Sequence, residues 1–132
     1  MIKVYTNILR EYNDLIKKKA KEVLKKEGLK GEVSITLVDD ETMIKLNKKY
    51  KNKNTTTDVL TFPFKEGNDI EFSYDLLGDI YISIEQAMRQ KKGTLLEEIF
   101  LLVVHGLLHL AGYNDETFEE AKIMRKKEKE YL

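Results

Sequence analysis

Cysteine is absent from all 132 residues, which excludes a disulfide framework, every thiolate metal site and any thiol nucleophile. Only one proline, Pro63, interrupts the chain, and no Ser/Gly linker, low-complexity tract or internal repeat divides it. An excess of either charge is missing too. Lys+Arg and Asp+Glu are both 23, so no whole-molecule field steers the protein towards a polyanion, and any nucleic-acid contact must be a local patch. The most apolar run, residues 99–112, carries two histidines and is shorter than the ~20 residues of a membrane helix, so it reads as a core helix. Residues 1–10 lack the basic, apolar and small-residue succession of a secretory signal. Cytoplasmic residence, without a membrane, is the expectation.

Charge itself is plentiful. With 35% charged and 42% hydrophobic residues, the chain reads as a salt-bridge-laced globule whose length suits a single domain over residues 1–132. Ile2, Val4 and Tyr5 suggest a short strand; Ile8, Tyr12, Leu15, Ile16, Ala20, Val23 and Leu24 recur at helical spacing until Gly28. Val33, Ile35 and Leu37 alternate with polar residues as in a half-buried strand, and Asp39 or Asp40 caps a helix carrying Met43, Leu46 and Tyr50. Residues 58–62 read as a strand stopped by Pro63, residues 65–75 as a loop or ragged hairpin, and residues 77–82 as another strand. Three Ser/Thr-x-x-Glu/Gln capping boxes follow: Ser83 with Gln86, Thr94 with Glu97, and Thr117 with Glu120. The second opens the apolar helix to about Ala111; the third opens a Lys/Glu helix with Phe118, Ala121 and Met124 as its apolar face. The charge-dense runs 17–30 and 122–130 read as solvated helix faces. The fold class is α+β, a small mixed sheet of about four strands packed with helices.

The only two histidines, His105 and His109, lie four apart, which on a helix stacks both imidazoles on one face and lets them share one metal ion. Gly112 can end that helix with a positive φ and turn Asp115 back towards the same point as a third ligand. The metal site thus falls on a buried helix and the turn after it. Three protein ligands leave a fourth tetrahedral position for water, the arrangement of a catalytic zinc site and of hydrolytic chemistry. Packed core histidines are the plain alternative, but a nearly all-apolar helix offers buried imidazoles few partners. The spacing also overlaps that of zinc peptidases, in which the residue after the first histidine is the glutamate base. Here it is Gly106, which cannot move a proton.

The run His105-Gly106-Leu107-Leu108-His109-Leu110-Ala111-Gly112-Tyr113 resembles the HGxLHLxGY signature of the YbeY family, bacterial rRNA maturation factors regarded as single-strand endoribonucleases. Leu46-Asn47 and Tyr50, followed by residues 57–63, resemble its LN…YR…TDVLSFP block, and residues 77–80 its LGDI strand. The resemblance implies one zinc ion at the bottom of a cleft, with RNA between the metal helix and the strand near Asp58. It implies cleavage of single-stranded rRNA, at the 3′ end of the small-subunit RNA, in a ribosomal small-subunit particle and in ribosome quality control. Four positions depart from the pattern: Asp115 stands where the third ligand is usually His, Asn114 where an acid precedes it, Lys51 where the cleft cation is usually Arg, and Thr56 where proline precedes TDVL. The carboxylate makes the ion a weaker Lewis acid and lets Mn²⁺ or another divalent transition metal compete better with zinc. Lys51 keeps the positive charge but loses the planar fork that matches a phosphate.

Lys45, Lys48, Lys49, Lys51 and Lys53 crowd the end of the second helix and the following loop, with Tyr50 among them. They read either as lysines suited to a helix C-terminus or as a local phosphate-binding patch with an aromatic for stacking. With the resemblance, Lys51, Lys53 and Asp58 become the substrate-binding candidates, and Lys51, His105 and His109 the catalytic ones. Asp58 and Asp79 sit in otherwise apolar strands and could orient a metal-bound histidine or bond to loop backbone. A non-catalytic, metal-binding ribosome-assembly factor is the alternative to the nuclease, and a zinc peptidase the more distant one.

Overall fold

The computed structural model describes residues 2–7, 10–64 and 76–132, so Ile8 and the expected loop at 65–75 lie outside the described residues. The elements are β1 (Ile2–Asn7), α1 (Arg10–Lys26), β2 (Gly31–Val38), α2 (Asp40–Lys51), β3 (Val59–Pro63), β4 (Leu76–Ser83), α3 (Ile84–Gln90), α4 (Leu95–Leu110) and α5 (Phe118–Tyr131). The four strands form one mixed sheet in the order β1-β2-β4-β3, with β1, β2 and β4 parallel and β3 antiparallel to β4. This is the expected α+β class. No single helix among the described residues is long and apolar enough to cross a membrane.

Strand alternation and helix periodicity meet in one core. Val33, Ile35, Ile80 and Ile82 of the sheet are fully buried with Ile16, Ala20, Val23 and Leu24 of α1 and with Ile99, Val103, Val104, Leu107 and Leu108 of α4. Each such side chain contributes roughly 2 kcal/mol by leaving water, which makes α4 a rigid platform. Its start is fixed by the expected capping box: Glu97 N–H donates to Thr94 Oγ1 at 3.1 Å and Thr94 N–H to Glu97 Oε1 at 2.8 Å. Thr117 and Glu120 cap α5 in the same reciprocal way.

Three expectations need correction. Pro63 does not stop β3 but is its last residue, paired with Gly78, and among the described residues β3 is an edge strand with no ladder partner on its other side for a proline to disrupt. Ser83 caps α3 by accepting from Gln86 N–H at 3.1 Å, but the Gln86 side chain turns instead to Gln90 and Arg89, so half of that capping box is missing. Phe118 is 74% exposed while Met124 is buried. Six residues at about 100° each place Phe118 roughly 120° around the helix from Met124. The inward stripe is instead Met124, Glu128 and Tyr131.

Gly78 sits where β4 passes β3 most closely. A Cβ there would lie 2.5 Å from the Phe62 carbonyl oxygen and 2.8 Å from Leu110 Cδ2, and the first of these is backbone that cannot step aside. Gly78→Ala is expected to cost about 3 kcal/mol of stability, read as a lower denaturant midpoint with unchanged slope. An unchanged midpoint would show that the strand pair is looser than its geometry.

Candidate metal centre and cleft

His105 and His109 stand one turn apart on α4, which ends in a Schellman turn: Gly112 N–H donates to His109 O and Tyr113 N–H to Leu108 O, both at 3.0 Å. Gly112 holds φ +105°, a region open to glycine at little cost. The turn has a second effect. It brings the Tyr113 carbonyl to 3.0 Å from His109 Nδ1 and lets Asp115 fold back, so that Asp115 Oδ2 lies 3.4 Å from His105 Nε2 and 3.7 Å from His109 Nε2.

The two imidazoles meet edge-on, 81° apart, in an arrangement that fits a cation. His105 Nδ1 lies 2.7 Å from Glu128 Oε2 and His109 Nδ1 lies 3.0 Å from a carbonyl, so each ring carries its hydrogen on Nδ1. Both Nε2 lone pairs then converge, 3.1 Å apart, beside a carboxylate. Either a proton held on His105 or a bound cation relieves the repulsion among these three acceptors. Tetrahedral bonds of about 2.0–2.1 Å place ligand atoms about 3.3 Å apart, close to the separations seen. The donor set of two imidazoles and one carboxylate fits a divalent transition ion.

Titration directions agree with these contacts. Burial alone would lower the His105 pKa, but the Glu128 hydrogen bond and charge, with Asp115 and Asp58, raise it above the ordinary value. Burial and the neighbouring His105 lower that of His109, favouring the neutral ring a metal requires.

Glu128 was not among the candidates from sequence. It lies in the charge run 122–130 expected to be solvated, yet it is 8% exposed and is the partner that orients His105. The periodicity contains the signal: Glu128 is four residues after Met124 and three before Tyr131, on the inward stripe of α5. Glu27, also inside a run expected to be solvated, anchors that helix by accepting from Tyr131 Oη and pairing with Lys127 Nζ at 3.4 Å. Burial would raise the Glu27 pKa, but Tyr131, Tyr113 and Lys127 together hold it down.

The three residues open into a cleft of about 690 Å³ whose opposite wall is the segment after α2, bringing Lys51, Lys53 and Asp58 into the same cavity. Asn52 closes α2 in the left-handed conformation, and buried Asn47 donates from Nδ2 to Thr55 O at 2.9 Å, turning the chain along the cleft. Thr56 Oγ1 donates to Asp40 at 3.1 Å, and Asp40 pairs with Arg89 at 2.7 Å, which holds its pKa down to about 2. Asp58 is held by Gln90, whose Nε2 donates both to it at 3.0 Å and to buried Glu98 at 2.8 Å. Orienting a histidine therefore falls to Glu128 rather than to Asp58 or Asp79. Asp79 pairs with Phe62 across the strands, on the face away from α4, where burial raises its pKa. The cleft carries three carboxylates, Asp58, Asp115 and Glu116, against two ammonium groups, Lys51 and Lys53. A divalent cation would turn that balance positive.

Gly106 also has a steric role. A Cβ there would sit 3.0 Å from two Ile80 atoms and 3.2 Å from Thr61 Oγ1, so close packing of α4 on the sheet disfavours a larger residue, glutamate included.

Comparison with known proteins agrees with this geometry. The family model described as Endoribonuclease YbeY matches residues 3–132. A protein named Endoribonuclease YbeY from Carboxydothermus hydrogenoformans is 43% identical over 112 residues, covering 83% of this chain and 76% of its own. Its namesake from Pelotomaculum thermopropionicum is 42% identical over 125 residues, covering 89% and 82%. The solution structure of TM1509 from Thermotoga maritima is similar with a TM-score of 0.67 and 32% identity, covering 99% of this chain and 86% of that one.

Proposed function

Because this chain belongs to the Endoribonuclease YbeY family, we propose that it hydrolyses single-stranded RNA in the cleft between α4 and the segment after α2. It is an endoribonuclease of rRNA maturation. We further assign its substrate to the 3′ end of small-subunit rRNA within a cytoplasmic ribosomal particle, and the whole chain to one catalytic domain. The observation that carries the reading is the convergence of His105 Nε2, His109 Nε2 and Asp115 Oδ2 within one cleft that also holds Lys51 and Lys53.

In this reading His105, His109 and Asp115 hold one zinc ion, with Mn²⁺ as competitor because a carboxylate is the harder third ligand. When bound, such an ion supplies Lewis acidity at the scissile phosphate and lowers the pKa of water. Lys51 offsets charge that develops on the non-bridging phosphate oxygens, and Lys53 attracts the adjoining backbone. Asp58, fixed by Gln90, accepts hydrogen bonds from ribose hydroxyl or base donors. Glu128 keeps the His105 hydrogen on Nδ1, and the Schellman turn does the same for His109.

The test is cleavage of single-stranded and duplex oligoribonucleotides by chelator-stripped protein, with Zn²⁺ or Mn²⁺ then restored. Metal-dependent scission of the single strand supports the reading; a protein that holds metal but cleaves no RNA would overturn it in favour of an assembly factor. Asp115→Ala is expected to loosen the ion by about a hundredfold or more, and Asp115→His to move selectivity towards zinc. Metal content after dialysis against graded chelator reads both. Unchanged affinity in the two variants would remove Asp115 from the ligand set.

A further inference from the structure

An aromatic strip lies on the face of the sheet opposite α4. The Tyr50 and Phe62 rings lie 5.0 Å apart at 61°, and Phe62 and Tyr81 lie 5.8 Å apart at 71°. Strand register sets its position. Thr61 and Ile80 pair across β3 and β4 and point to Gly106 of α4, so the alternating residues Phe62 and Tyr81 lie on the opposite face of the sheet, where Tyr50 of α2 meets them. Two lysines flank the rings: Lys49 Nζ is 5.1 Å from the Tyr50 centroid and Lys51 Nζ is 5.7 Å from that of Phe62. Lys51, which also lines the metal cleft, is the link between cleft and strip around the β3 edge.

Tyr50 is 55% exposed, more than its packing on Phe62 requires. Aromatic rings beside ammonium groups, adjoining a phosphate-cleaving site, match what an unpaired nucleotide offers: a π-face and a charged linkage. We propose that the Tyr50–Phe62–Tyr81 strip is a stacking subsite for unpaired nucleobases of RNA extending out of the metal cleft, with Lys49 taking the flanking phosphates and Lys51 standing where strip and cleft meet. The proposal rests on the RNA-cleavage reading above and adds to it a physical source of single-strand preference. Bases inside a duplex have their faces occupied and have none to lay on a ring. Asp79, on the same face as Phe62, repels a phosphate there, which puts the backbone on the lysine side and the bases on the ring side.

The test uses Tyr50, whose exposure makes its replacement compatible with folding. Binding of a fluorescein-labelled single-stranded adenylate decamer is measured on metal-free protein, and cleavage of the same decamer on metal-loaded protein. Tyr50→Ala is expected to weaken binding about tenfold and to raise KM more than it lowers kcat, while Tyr50→Trp restores both. A decamer with abasic positions beside the scissile bond should bind wild type more weakly and Tyr50→Ala no differently from the intact decamer. If wild type cleaves and Tyr50→Ala matches it in binding and KM, the stacking subsite is overturned while the nuclease reading stands. A change in sedimentation without a change in RNA affinity would also overturn it, marking the strip as a contact between protein copies. Failure of metal-loaded wild type to cleave counts against the nuclease reading, whereas the metal-free binding arm still reads the strip.

Discussion

Replacing His105 by alanine is expected to remove metal retention and RNA cleavage together, with cleavage falling by about a thousandfold. A metal ion provides several kcal/mol of transition-state charge stabilisation, and each 1.4 kcal/mol or so is a factor of ten in rate. His105 would contribute one of three ligand atoms of the cluster, and without it His109 and the half-exposed Asp115 would have to hold an ion alone. His109→Ala should match it in activity but not in stability. Removing His105 strips buried Glu128 of its 2.7 Å partner, whereas removing His109 leaves only a backbone carbonyl without its donor. His105→Ala should therefore be the less stable of the two in metal-free form, by about 2 kcal/mol. The measurements are metal content, oligoribonucleotide cleavage and denaturant midpoint. Full metal-dependent cleavage after loss of both histidines would end the metal-centre reading.

The parts of this site that are legible from sequence are those set by local geometry. Four-residue spacing stacks His105 on His109 wherever a helix forms, and the apolar run with Thr94 and Glu97 makes that helix certain to form. Gly112 announces the turn that brings Asp115 back. What local spacing cannot give is which charged residue of another helix arrives at the centre. Glu128 comes from 23 positions downstream of His105, and its arrival depends on how α5 docks through Tyr131, Lys127 and Glu27. Alternating lysine and glutamate hides it, because the eye reads composition before phase; the phase of Met124 and Tyr131 would have found it. Phe118 misleads for the converse reason, a large apolar residue at the first helical position but off the buried stripe. The sheet followed the same division. Alternation located β2, whereas the mixed order β1-β2-β4-β3, which among the described residues makes β3 an edge able to contain Pro63, is a tertiary outcome.

Glu128 supports a graded series whose largest member should rival loss of a ligand. In Glu128→Gln an acceptor oxygen remains for His105 Nδ1–H but the charge is gone, so metal affinity should fall about tenfold. In Glu128→Leu the acceptor is lost as well, the imidazole can place its hydrogen on Nε2, and affinity and cleavage should fall about a hundredfold, the upper end for residues that orient metal-binding histidines. Stability of the metal-free protein separates this from a packing defect. Leucine fills a similar volume on the inward stripe between Met124 and Tyr131, and the partly exposed His105 can turn its freed Nδ1–H to water, so the metal-free variant should lose less stability than His105→Ala, which strands the buried carboxylate. The remaining loss falls in the metal-bound state, seen as a smaller rise in Tm on adding Zn²⁺. Equal metal affinity across Glu, Gln and Leu would mean that the 2.7 Å contact merely satisfies a buried polar pair; a stepwise fall would mean that α5 belongs to the metal centre.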